Sequence, residues 1–100
     1  MNRIEISINR LDSVIKHHKS YDFPEFIRTL RSALGISRRT MSEDLAIQYL
    51  KLYYIETGNG AVRLNEELLS KIANYFGVPE EILRAKANSY FYYPIKVTNE

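Results

Sequence analysis

The sequence predicts an all-α domain. Apolar side chains recur at helical spacing through most of the chain, and glycines or capping residues punctuate it at short intervals. Length adds a third observation: 100 residues make one domain, able to bury a core but small enough to gain from dimerisation. The expected division is an N-terminal extension over 1–21, a helical domain over 22–88 and an aromatic tail over 89–100.

The extension carries two patterns. Ile4, Ile6 and Ile8 alternate like a half-buried strand, while Ile4, Ile8, Leu11 and Ile15 have helical spacing. A strand over 3–8 followed by a helix over about 9–18 accommodates both.

The next helix opens at Asp22, with Glu25 three residues later in a capping-box pattern and Pro24 suited to the first turn. Phe26, Ile27, Leu30 and Leu34 mark its buried face, and Gly35 stops it. Ser37 is a good N-cap for a second helix over 38–45, buried through Met41 and Leu45. A turn at Ala46 and Ile47 leads to a third helix over 48–56, which Gly58-Asn59-Gly60 ends. Ser42 and Ala46 are small where two helices would approach closely.

Asn65 caps a fourth helix, with Leu64 and Leu69 placed as a hydrophobic staple. Its core face is Leu68, Leu69, Ile72, Ala73 and Phe76, and Gly77 closes it. Pro79 starts a fifth helix with Ile82 and Leu83 inside. In the tail, Tyr90, Phe91, Tyr92, Tyr93, Ile95 and Val97 favour a strand, confined to an edge by Pro94. Short connections between five helices make the domain compact.

Composition excludes several classes. With no cysteine there is no disulfide framework or thiolate metal site, which fits a reducing compartment. The first residues lack an apolar signal core, and no apolar run approaches the roughly 18 residues of a membrane span, so a cytoplasmic protein is expected. Net charge is only +2, but residues 26–51 carry Arg28, Arg31, Arg38, Arg39 and Lys51 against Glu43 and Asp44. A solvated mixed-charge surface and an anion-facing patch both fit that distribution. His17 and His18 are adjacent, point in different directions on a helix and have no third ligand at metal-site spacing. No glycine-rich phosphate loop and no poised nucleophile is visible, so no catalysis, metal or cofactor is expected.

Residues 35–58, GISRRTMSEDLAIQYLKLYYIETG, concentrate the functional signal. From Gly35 to Glu56 and Gly58 they match, without a gap, the spacing of the phage-repressor and Cro-like helix-turn-helix family. The resemblance extends over about residues 24–85, including LNEELLSKIANYFGVPEEIL, similar to the family's fourth and fifth helices. It implies a five-helix lambda-repressor-like domain, to which the residue patterns of the two ends add short strands. It further implies a sequence-specific regulator of transcription, a dimer that binds duplex DNA and reads the major groove with helix 48–56. A chain this short favours repression, which needs only occupancy of a promoter.

The resemblance puts Arg38 where the family often has a phosphate-holding glutamine, Ala46 where it usually has glycine, and Glu56 on a frequent glutamate taken as structural. The implied DNA-binding residues are Arg38, Arg39, Gln48, Tyr49, Leu50, Lys51 and Tyr54, with Arg63 in the following loop. Helical geometry turns Leu52 and Ile55 inward and leaves Gln48, Tyr49, Leu50 and Lys51 near the exposed face. Gln48 suits adenine, Lys51 guanine or phosphate, Leu50 a thymine methyl, and tyrosine hydroxyls phosphates. An exposed Tyr, Leu, Tyr surface equally suits a protein interface, as in an antitoxin-like or regulator-binding module. For the tail, packing on its own domain and a dimer contact through Tyr90, Phe91, Tyr92, Tyr93 and Ile95 are compatible readings.

Overall fold

The computed structural model describes residues 3–58 and 64–87, with side chains from residue 9. Among these residues the regular structure is helical throughout: α1 (Arg3–Lys16), a 3-10 turn (His18–Ser20), α2 (Phe23–Leu34), α3 (Arg38–Leu45), α4 (Tyr49–Thr57), α5 (Glu66–Phe76) and α6 (Glu80–Ala87). The fold is all-α. The five helices expected after residue 22 are present as α2–α6.

The expected strand over 3–8 is not there, because α1 begins at Arg3. Of the two periodicities, the helical one prevails, since it extends to Leu11, Val14 and Ile15, which rest on the core. A strand needs a ladder partner, and the neighbour here is the helix α2. After Lys16, the His17 ring donates through Nδ1 to the Ser13 carbonyl at 2.9 Å, and the chain tightens into the 3-10 turn.

Side-chain caps set three starts. Asp22 accepts from Glu25 N–H at 2.9 Å, Ser37 from Thr40 N–H at 3.0 Å, and Asn65 from Leu68 N–H at 2.8 Å. Each such cap is worth about 1 kcal/mol. Four of the described helices end on a left-handed residue: Gly35, Ala46, Gly58 and Gly77. Gly58 has φ +73, and a Cβ there would sit 3.2 Å from Pro24 Cγ. Ala46, with φ 57, takes the same conformation with a Cβ. Ala46 is exposed, so its small size answers the turn and not the expected close approach of helices. Ser42 is buried, and its hydroxyl donates to the Arg39 carbonyl at 2.8 Å.

The helix α2 is central, touching α1, α4 and α6, while α3 touches α4 and α5. Phe23, Phe26, Ile27 and Leu30 of α2 meet Met41 of α3, Leu52 and Ile55 of α4, Leu69 and Ile72 of α5 and Leu83 of α6 in one solvent-free core. Leu64, just ahead of α5, is fully buried with Leu69, as the staple requires.

Two lysines tie loops down. Lys71 donates to the Leu45 carbonyl at the end of α3. Lys86 donates to the carbonyls of His18 and Tyr21 at 2.7 and 2.6 Å, with its ammonium 5.1 Å from the Phe26 ring centre. Burial lowers the Lys86 pKa, against the pull of Asp22. None of the described helices is long and apolar enough to cross a membrane.

Candidate functional site

The site is built on α3 and α4, and its foundation is Glu56. This carboxylate lies in the last turn of α4 and is completely buried. An isolated buried carboxylate would be untenable, so its partners matter. Arg31 of α2 grips it with a two-pronged contact, Nε to Oε2 at 2.8 Å and Nη2 to Oε1 at 3.0 Å. Arg38 of α3 adds Nε to Oε1 at 3.0 Å. Arg31 also donates to the Ile36 carbonyl at 2.9 Å, and Arg28 to the Glu56 carbonyl at 2.6 Å. The end of α4 is thereby fixed to α2 and to the start of α3. Fork-shaped guanidinium contacts hold orientation as well as charge.

Above this clamp stands an exposed aromatic face. Leu52, Ile55 and Glu56 take the inner side of α4, leaving Tyr49, Leu50 and Tyr53 outside at 41%, 56% and 38% exposure. Tyr49 and Tyr53 are one turn apart and share a stripe. Arg38 lies along it: its guanidinium carbon is 5.2 Å from the Tyr53 ring centre and 6.0 Å from that of Tyr49, and Nη1 donates to the Tyr49 hydroxyl at 3.4 Å. Arg39 approaches the Tyr49 ring at 5.6 Å. Burial acts to lower the Arg38 pKa, but the hydrogen bonds to Tyr49 and Glu56 and the Glu56 charge outweigh it, and the net direction is up. The guanidinium stays charged.

Arg38, Arg39, Tyr49 and Leu50 therefore come together on one face. Gln48 is exposed beside them at the N-cap of α4, its side chain unused for capping. Lys51 is half-buried on the flank, lining a shallow groove with Ile47, Asn65, Glu67 and Lys71. Tyr54 is half-buried against the core, and Tyr53, which the sequence reading left out of the site, has the outward place. The one-turn spacing from Tyr49 was the available signal for it. The contacts of Arg28 with the Glu56 carbonyl and of Arg31 with its carboxylate were missed as well; in the sequence their positive charge reads only as surface charge. Arg63, Tyr90, Phe91, Tyr92, Tyr93 and Ile95 lie outside the described residues.

His17 is exposed, the His18 ring meets Phe26 edge-on at 6.5 Å, and no group of three potential metal ligands occurs among the described residues. No protein-family model matches the chain, and no curated protein or solved structure matches it.

Proposed function

We propose that this chain is a lambda-repressor-like helix-turn-helix domain that binds duplex DNA sequence-specifically as a dimer and represses transcription in the cytoplasm. The observation that carries the reading is the contrast within α4. Its inner side and last turn are locked by Leu52, Ile55 and the Glu56 clamp, while Tyr49, Leu50 and Tyr53 stand out beside Arg38 and Arg39. A reading helix needs such a rigid base and a free face. The left-handed turn at Ala46, joining α3 to α4, and the order of α2–α6 agree with the five-helix plan. In this reading Gln48, Tyr49 and Leu50 reach base edges, while Arg39, Arg38 and Lys51 face phosphates.

A second reading rests on the same three exposed apolar side chains. They also suit a protein partner, as in an antitoxin-like module, because aromatic residues dominate such contacts. Selection from a random duplex pool separates the two. The DNA reading expects enrichment of a defined site by the parent protein and relaxed preference at particular base pairs with Gln48→Ala or Tyr49→Ala. An unenriched pool overturns it.

A further inference from the structure

The exposed face of α4 is unusual in its chemistry. Its most prominent side chain, Leu50, is 56% exposed and can make no hydrogen bond. The neighbouring Tyr49 hydroxyl already accepts from Arg38. Arg38 and Arg39 lie against the tyrosine rings, so positive charge flanks the face and hydrocarbon leads it. Both stand at the start of α3, so their charge lines the α3 side of an apolar strip and complements a polyanion there.

A major groove offers such a strip one complementary group. Its other base-edge groups are hydrogen-bond donors and acceptors or small C–H edges; the methyl on C5 of thymine, which 5-methylcytosine also carries, is the apolar group that projects into the groove. Setting Leu50 against an amino or carbonyl edge would strip it of water and leave it unpaired. Resting on the DNA reading above, we infer that α4 recognises the C5-methyl groups of pyrimidines, with Leu50 as the discriminating contact. Tyr49 and Tyr53 wall the methyl, and the flanking arginines hold the backbone. Leu50 is therefore a specificity residue for methyl-bearing pyrimidines, thymine or 5-methylcytosine.

Replacing thymine by deoxyuridine removes the methyl and leaves every hydrogen-bonding group in place. The test uses the full chain and the duplex it selects from a random pool, remade with deoxyuridine at each thymine in turn. At the contacted thymine, affinity should fall about fourfold, the value of one buried methyl. Cytosine at that position should bind more weakly still, and 5-methylcytosine should regain about fourfold over cytosine. Leu50→Ala, a change at an exposed position whose folding circular dichroism checks, should bind the thymine and uracil duplexes equally. Equal binding of both duplexes by the parent overturns the inference and leaves the DNA reading standing. An unchanged fourfold ratio in Leu50→Ala overturns the role of Leu50. A pool that yields no selected site removes the DNA reading and this inference together.

Discussion

At Glu56 two arginines meet one fully buried carboxylate, and removing either sign has different consequences. Glu56→Ala should cost about 3–5 kcal/mol, because Arg31 and Arg38 lose their shared counter-charge. Arg38→Ala should cost less, about 1–2 kcal/mol, since Arg31 still holds both carboxylate oxygens. Urea unfolding of the two variants checks that order; the reverse order would mean that Arg38, not Arg31, is the main counter-charge of Glu56. Arg38→Ala also bears on DNA binding, because the same guanidinium lies against Tyr49 and Tyr53. Its loss frees Tyr49 and Tyr53 as well as a phosphate contact, so selectivity should loosen along with affinity.

Tyr75 offers a pH test. Burial first, and then its hydrogen bond to Asp44 at 2.6 Å, raise its pKa well above the ordinary value. The neutral phenol is the bonded form, so its contribution is complete below the unfolded-state pKa. It is lost as pH rises, beginning where the unfolded tyrosine ionises, at about 10. The stability gap between parent and Tyr75→Phe should therefore be about 0.5–1.5 kcal/mol at neutral pH and shrink above that value. A gap independent of pH would mean that folding does not raise the Tyr75 pKa.

Among the elements, α2–α6 were readable from sequence because their signals are local. Asp22, Ser37 and Asn65 each cap through a bond three residues long, and Gly35, Gly58 and Gly77 end helices by their own conformation. The α1 segment was not, since its isoleucines satisfy two periods and only the presence of α2 alongside decides between them. The Glu56 clamp was invisible for a related reason: Arg31 and Glu56 are 25 positions apart, and nothing local pairs them. Tyr49, Leu50, Leu52 and Ile55 were assigned to their sides of α4 by helical geometry alone. The turn between α3 and α4 carries its own prediction. Ala46→Gly relieves about 1 kcal/mol of left-handed strain, partly offset by the freer unfolded chain, and should raise the melting temperature slightly. Ala46→Val, β-branched in the same conformation, should lower it; thermal scans giving both variants the same sign would contradict the turn geometry.

At the scale of the molecule, the proposed function needs two copies. Two reading helices must stand about 34 Å apart to enter successive major grooves, so the dimer contact has to avoid the face around Tyr49. On this proposal the tail residues Tyr90, Phe91, Tyr92, Tyr93 and Ile95 supply it. Deletion of residues 90–100 should then give a folded monomer in sedimentation, with far weaker DNA binding. A truncated chain that remains dimeric would move the contact to the helices.

The proposed role stands most directly on phosphate neutralisation by Arg38, Arg39, Lys51 and Arg63 in each of two copies. Titration of a labelled duplex at a series of salt concentrations measures it. About six to eight contacts across the dimer give a log–log slope of affinity against salt near −5 to −7. A flat dependence, or no binding at low salt, contradicts DNA as the partner and leaves the aromatic face of α4 to a protein.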